Sequence, residues 1–484
     1  MCEQSRKFEF SRDRIRKKDK IESMKKKIYI CIVLFVLCFL VNVNYAISQE
    51  NSPPDYNKIS EQIADDVERY HIPGMAVMVV DKDDILFQET YGNCNSIDTP
   101  YIIGSMSKSF TAVAIMQLVE EEKVDLDSPI AKYIDATEWF IDSADCDKIT
   151  VRDLLNQTSG ITTYQTFGDL NSTDLYGQHI YANANYGLLG VIVESVSGQS
   201  YEEYITNNIF EPLGMTNSAA SLEKSKENGL IPGYRNYFGI PIEGKPDYPD
   251  QIKHGTWTNI PAGYLSSSAS DMGKYLQMYL NGGDNVLSEE SINSMFYDNV
   301  SVDGGSYYYG MGWNYSTEMF SKPMLWHAGL VENYTSNMFI IPDEGIAVVV
   351  LVNMNDYLVT NNIIGNIVNP LIGEERQNLP NLYVILHFVI DIICLLLCFT
   401  SIWSIATIKK CYKKEKKKSV YLINSIKHVI LPMILIFIPL IIGIPIRVFW
   451  LFVKDLCVLF YANAVILIVV GIYKLLTNEQ RRFD

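Results

Sequence analysis

The sequence predicts an α+β domain, an antiparallel sheet flanked by helices with a helical subdomain, followed by about three transmembrane helices. Three observations carry that prediction. Gly74–Gln88 and Met338–Val352 each read as two short apolar strands around a polar turn, near opposite ends of one segment. Between them the apolar spacing is mostly helical. Beyond them lie three long apolar runs, Leu382–Ile408, Val429–Ile446 and Leu456–Tyr473. Strands at both ends of a helical middle are expected to share one antiparallel sheet.

Each element has its own warrant. In the first hairpin, Ala76–Val80 precedes a turn at Asp81–Asp84 and Ile85–Gln88 follows it. In the second, Met338–Ile341 and Ile346–Val352 flank Pro342–Gly345, a turn-forming run. The helical stretches are Ser107–Glu122, Val151–Leu155, Tyr186–Ser197, Tyr201–Ile209, Ser270–Leu280 and Ser288–Phe296. No internal repeat or long low-complexity stretch interrupts them.

Charge is segregated along the chain. The 484 residues carry 40 Lys+Arg and 56 Asp+Glu, a net charge of −16 that argues against a nucleic-acid partner. Glu50–Pro380 holds 16 basic and 46 acidic residues, a balance of −30, so the remaining 24 basic and 10 acidic residues give +14. The basic excess sits in Met1–Lys27 and Lys409–Lys418, each abutting an apolar run, as when Lys and Arg stay on the cytoplasmic side. The acidic domain is then expected outside a cell membrane crossed several times. Ile28–Val41 is 14 residues, short for a span, and Ala46-Ile47-Ser48 offers a small-residue cleavage site.

The expected organisation follows from these runs. Residues 1–27 form a basic cytoplasmic arm or a mis-assigned start, since Met24-Lys25-Lys26-Lys27 would itself begin a chain conventionally. Residues 28–48 are a signal peptide or an uncleaved anchor, 51–371 the exported domain, 372–381 a linker and 382–474 the transmembrane region. His387 and Asp391 share a helix face near the outer end of the first run, read as a polar helix contact. Pro432, Pro439 and Pro445 predict a kinked second span. Of nine cysteines only Cys94 and Cys146 fall in the exported domain, so one bridge is possible and spacing alone does not decide it.

Three short motifs carry candidate chemistry. Ser105-Met106-Ser107-Lys108 follows the extended Tyr101–Gly104 and opens a helix with an apolar face (Phe110, Val113, Ala114, Met116, Leu118). A serine at a helix N-terminus feels the positive end of the dipole, and a lysine three residues on lies one turn along the same face. A partly buried Lys108 can act as base or hold a neighbouring base ionised. Ser-x-x-Lys also occurs at Ser23 and Ser221, so context selects Ser105 against an ordinary helix start. Tyr181-Ala182-Asn183 leads from a polar loop into an apolar helix, suited to aim a phenol and an amide into a cleft, or simply to turn and cap. A phenol beside a lysine ammonium can have its pKa lowered and serve as general base. His327-Ala328-Gly329, in Met324–Leu330, reads as a strand edge offering a backbone N–H to an oxyanion, or as a structural histidine.

Together the three resemble the serine β-lactamase and penicillin-binding protein family, in its branch of class C-like esterases, D-aminopeptidases and penicillin-binding-protein-4-like hydrolases. Leu154–Ile161, Ile209–Met215, Pro261–Leu276 and Tyr309–Trp313 are similar to it as well, so the likeness spans roughly Ile59–Leu371. The resemblance implies a β-lactamase/transpeptidase-like fold in which Ser105 is the acylated nucleophile and Lys108 and Tyr181 share proton transfer. It implies that Asn183 orients substrate or Lys108 and that His327 takes the third-motif place beside Gly329. The oxyanion hole would be the N–H groups of Ser105 and Leu330. No metal or cofactor is needed, and the expected partner is a peptide or other small-molecule substrate; oligomeric state is left open.

Three departures from the pattern are informative. Gln157 stands where the family often has His, which is expected to affect loop support. Leu330–Tyr334 replaces a Gly-rich run, so Glu332 is expected to give an acidic rim. With His327 in place of lysine, a neutral imidazole would pair weakly with a β-lactam carboxylate, which places antibiotic hydrolysis in doubt. A peptide, amide or ester of the cell envelope is the expected substrate class. The competing expectation is a penicillin-binding-like sensor or envelope scaffold with little turnover.

Overall fold

Alternation of side chains along the two hairpins brings both ends of the domain into one sheet. In chain order the strands are β1 (Gly74–Asp81), β2 (Ile85–Gly92), β3 (Val300–Ser301), β4 (Tyr307–Gly310), β5 (Trp313–Ser316), β6 (Met324–Leu330), β7 (Thr335–Ile341) and β8 (Ile346–Val352). They form an antiparallel sheet of order β2-β1-β8-β7-β6-β5-β4-β3. The register of β1 on β8 runs from Met75 opposite Val352 to Asp81 opposite Ile346. The structure is a computed structural model describing residues 54–237, 240–244, 254–318, 321–355, 357–374, 382–407, 424, 426–441, 443–452 and 454–480. The expected arm 1–27, the apolar segment 28–48, most of the 372–381 linker and the Lys409–Lys418 loop lie outside the described residues, as do the side chains of His387 and Asp391.

Helices cover both faces of this sheet, which is why β1 and β8 are nearly continuous apolar runs. The main helices are α1 (Tyr56–Arg69), α2 (Ser107–Glu120), α3 (Asn183–Ser197), α4 (Ala269–Leu280) and α5 (Tyr357–Leu371). Met75, Val77 and Val79 pack with Val348, Val350 and Val352 against Ile59 and Ile63 of α1 and Ile363 and Ile367 of α5. Ala76, Met78 and Val80 join the larger core on the opposite face, with α2, α3 and α4. Asn366 on α5 donates to Asp66 Oδ2 on α1 at 2.9 Å, and both residues are buried.

Two local expectations change. Helix α2 is buried on every side from Ser107 through Met116, not along one stripe, so it is the central helix of the domain. Strand β6 is internal, between β5 and β7, but β5 accompanies it only over Met324–Trp326. From His327 onward its edge faces the turn Gly104–Met106 instead. β3, β4 and β5 are absent from the expected elements; a tight turn through Met311 (φ 45°) and Gly312 (φ 86°) joins β4 to β5. A Cβ on Gly312 would stand 2.7 Å from Ser109 Cα, so glycine lets this hairpin close on α2.

The C-terminal runs form α6 (Leu382–Ala406, 25 residues), α7 (Leu431–Ile441, 11 residues) and α8 (Lys454–Gln480, 27 residues). The expected kink in the second run, Val429–Ile446, is a break near its end: α7 stops at Ile441, ahead of Gly443 (φ 77°) and Pro445. Among the described residues one helical stretch, Leu456–Lys474, is long and apolar enough to cross a membrane. Leu397, Leu435, Phe449 and Phe460 pack together, and Ser401 donates to Asn463 Oδ1 at 2.6 Å across α6 and α8. Cys94 and Cys146 are separate buried free thiols, not a bridge.

Candidate active site

Ser105 lies in a 3-10 turn, Gly104–Met106, immediately before α2. Two glycines make the approach of this turn to β6 possible. Gly104 has φ 55°, and a Cβ there would stand 2.6 Å from Leu330 N. A Cβ on Gly329 would lie 2.1 Å from Ile103 O and 2.2 Å from Ser336 Oγ. Ser336 Oγ donates to Ile103 O at 2.7 Å, fastening β7 to the same turn. Ser107 Oγ donates to Gly104 O and accepts from Leu265 N at 3.1 Å, fixing the other side.

Lys108, fully buried one turn along α2, is the hub. Its Nζ lies 3.1 Å from Ser105 Oγ, 2.8 Å from Asn183 Oδ1 and 2.5 Å from Ala262 O. Burial pushes its pKa well below the ordinary lysine value. A neutral amine keeps two N–H donors and one lone pair. The donors match the Asn183 and Ala262 oxygens, which leaves the lone pair to accept from the Ser105 hydroxyl.

Tyr181 stands over this hub, its ring centroid 4.8 Å from Lys108 Nζ. Its pKa is raised, chiefly by burial and then by Tyr309, with Ser105 pulling the other way. The expected lysinium-stabilised phenolate is therefore not what this environment favours: burial disfavours both the ammonium and the phenolate.

His327 is buried and neutral, its pKa pushed down to about 3 by burial first and by Lys108 second. Its Nδ1 lies 2.8 Å from Ala328 O, which assigns the ring proton to that nitrogen and leaves Nε2 facing the Tyr309 hydroxyl at 3.5 Å. Tyr181, Tyr309 and His327 make mutual ring contacts, with centroids 5.9 to 6.3 Å apart, so the wall beside Ser105 is aromatic and uncharged. Glu332 does not form an acidic rim. It is 3% exposed and accepts from the Tyr264 hydroxyl at 3.0 Å, because the turn after β6 folds back into the core.

Two groups at this site were not read as part of it from the sequence. The Ala262 carbonyl has no side-chain signature. Gln157, expected to affect loop support, clamps the Tyr181–Asn183 loop directly. Its Oε1 accepts from Ala182 N at 3.0 Å and Asn185 Nδ2 at 2.5 Å, and its own carbonyl accepts from Ile180 N at 2.8 Å. The clamp holds Gln157 at φ 62°, a left-handed conformation for a non-glycine residue.

Fold and site together define a serine-hydrolase-like α+β protein. The chain belongs to the Beta-lactamase family, whose family model matches residues 59–362, a stretch containing every group described above. Protein flp of Staphylococcus aureus (strain N315) is 26% identical over 324 residues, covering 62% of this chain and 63% of that protein. Unguisins hydrolase ungD' of Aspergillus campestris is 24% identical over 355 residues, covering 63% of each. The chain thus spans less than two thirds of the length of these curated relatives. Among solved structures, the octameric penicillin-binding protein homologue from Pyrococcus abyssi superposes with TM-score 0.56 and 27% identity over 68% of this chain and 80% of that one. A D-stereospecific amidohydrolase from Streptomyces sp. shares the fold, with TM-score 0.52 and 21% identity over 64% and 98% of the two chains.

Proposed function

We propose that this protein is a membrane-anchored, extracytoplasmic serine hydrolase that works through an acyl-serine at Ser105. The observation that carries the proposal is the fully buried Lys108 amine, 3.1 Å from Ser105 Oγ with its other donors held by Asn183 and Ala262. In this mechanism the neutral amine takes the Ser105 proton as the hydroxyl oxygen attacks an acyl carbon. The Tyr181 phenol passes a proton to the leaving group and is restored from Lys108. The N–H groups of Ser105 and Leu330, brought together by Gly104 and Gly329, hold the developing oxyanion. Water then repeats the sequence to release the acyl group.

The aromatic, uncharged wall of Tyr181, Tyr309 and His327 offers no cation to a substrate carboxylate, so an amide, peptide or ester of the cell envelope fits better than a β-lactam. Membrane attachment is supported by the long apolar stretch in α8 and by the outward apolar residues of the C-terminal helices, among them Leu395, Phe399, Ile402 and Trp403. The basic Lys409–Lys418 run supports the reading in which the acidic domain lies outside in a three-span arrangement.

The test is a serine-reactive probe panel, a fluorophosphonate beside a fluorescent penicillin, on the full chain and its Ser105→Ala variant. Fluorophosphonate labelling of the parent alone is expected, with weak penicillin labelling. Equal labelling of parent and variant sinks the assignment.

A further inference from the structure

The C-terminal helices touch the catalytic domain at a place the mechanism does not use. Arg447, in the short helix Ile446–Phe452 between α7 and α8, donates from Nη2 to Tyr164 O at 2.8 Å and from Nη1 to Gly255 O at 3.3 Å. The two acceptors lie in loops that pair with each other: Phe167 N donates to Thr256 O at 2.9 Å, and Gly255 N to Phe167 O at 2.8 Å. Gly168, at φ 99°, lets the pair close, since a Cβ there would stand 2.2 Å from His254 Nδ1. The half-buried rings of Tyr164 and Trp257 meet on this pair, with centroids 6.0 Å apart. Beside it Ile141, whose N–H donates to Leu170 O at 2.8 Å, is 70% exposed.

The helices set the height of this contact. In the three-span reading the turn between α7 and α8 is outside, so Arg447 marks the outer end of two spans. A bilayer of about 40–45 Å with a hydrocarbon core of about 30 Å has a headgroup layer roughly 5–8 Å deep on each side. Carbonyls within 3.3 Å of the Arg447 guanidinium lie in or against that layer. Trp450 is exposed on the same short helix, and Lys454 Nζ lies 5.5 Å from its ring centroid, an aromatic and a cation of the kind that mark a membrane interface. Arg447 has N–H donors beyond those held by the two carbonyls, and these suit lipid phosphates.

We propose that this loop pair is a second membrane contact: Tyr164, Trp257 and Ile141 sit in the headgroup layer of the outer leaflet, and Arg447 ties them to the spans. The contact rests on the membrane-anchored reading and is independent of the acyl-serine. Exposed Asp142 and Asp169 flank the face, so a zwitterionic leaflet suits it better than an anionic one. Both loops lead into the active site. Tyr164 follows the Gln157 clamp by seven residues, and Gly255 precedes Ala262, whose carbonyl holds Lys108, by seven. Phe167 also packs on Gly187 of α3, one helical turn from Asn183, where a Cβ would stand 2.6 Å from Phe167 Cζ.

The experiment reconstitutes the full chain in phosphatidylcholine vesicles and reads quenching of tryptophan emission by phosphatidylcholine brominated near the carbonyl end or near the methyl end of its chains. The share of Trp257 is the difference between the parent and Trp257→Phe. We expect carbonyl-end bromine to quench that share about twofold more than methyl-end bromine, the depth order of an interfacial ring. Arg447→Gln and Ile141→Asp should each reduce the quenching about twofold. An unquenched Trp257 share, or quenching unchanged in both variants, overturns the contact. Hydrogen exchange needs no tryptophan variant: residues 161–168 and 254–257 should exchange more slowly in the parent than in Arg447→Gln, and equal exchange overturns the contact. Protection without quenching assigns the face to a protein partner and overturns it too. Vesicle flotation separates this contact from the reading beneath it. A chain that does not float overturns the anchoring and the contact together, whereas a floating chain with Trp257 unquenched overturns the contact alone.

Discussion

Replacing Gln157 by methionine removes an acceptor while nearly preserving volume, and the structure says what that does. Two donors, Ala182 N and Asn185 Nδ2, lose their shared partner Oε1. Each buried donor left unmet costs about 1–3 kcal/mol, so Gln157→Met should lower stability by roughly 2–5 kcal/mol. The catalytic loss is separate. Ala182 sits between Tyr181 and Asn183, so releasing its N–H frees both to move. A displacement of about 1 Å at reacting groups costs on the order of 100-fold in rate. The assay is the second-order rate of fluorophosphonate labelling, measured well below the melting temperature of each variant. Gln157→His is the control, since histidine tolerates the left-handed φ and can accept at one nitrogen. It should recover most of the labelling rate. A Gln157→Met protein that labels within twofold of the parent would refute the clamp.

Further predictions follow from the same geometry. Burial lowers the Lys108 pKa, so between its native and ordinary values the unfolded chain binds more protons than the native one, and stability should rise with pH through that window. Lys108→Met removes the effect: it should melt no lower than the parent at pH 7, lose that pH dependence, and label at least 1000-fold more slowly, as read by calorimetry and probe kinetics. Labelling of the parent should rise with pH and level off well below the ordinary lysine value. Gly329→Ala should slow labelling at least 100-fold, because its Cβ would lie 2.1 Å from Ile103 O, whereas Gly345→Ala, in open space at φ 63°, should cost about 1 kcal/mol and leave the rate alone. Cys94 and Cys146 should resist a thiol reagent in the native domain and react only on unfolding, counted by mass.

How much of this was legible in the sequence depends on how local the cause is. The hairpins were legible because alternation and turn residues act over a few positions, and their pairing as β1 on β8 follows from joining the domain's two ends. The spacing of Ser105 and Lys108 was legible because one helical turn fixes it. The burial of α2 on all sides was not, since its polar Ser107, Ser109 and Thr111 find partners in distant segments such as Leu265, Tyr275 and Pro261. Glu332 read as a rim charge because its partner, the Tyr264 hydroxyl, lies 68 residues away. The direction of the Tyr181 pKa is hidden for a similar reason: burial of the phenol itself, set by distant segments such as the strand carrying Tyr309, raises it and outweighs the neighbouring lysine.

The central claim is that Ser105 becomes acylated with Lys108 as its neutral base. Peptide mapping by mass spectrometry after a fluorophosphonate pulse tests it most directly. One adduct is expected, on Ser105, whose formation rate rises with pH and which vanishes in Lys108→Met. An adduct on another serine, or an undiminished Ser105 adduct in Lys108→Met, would contradict it.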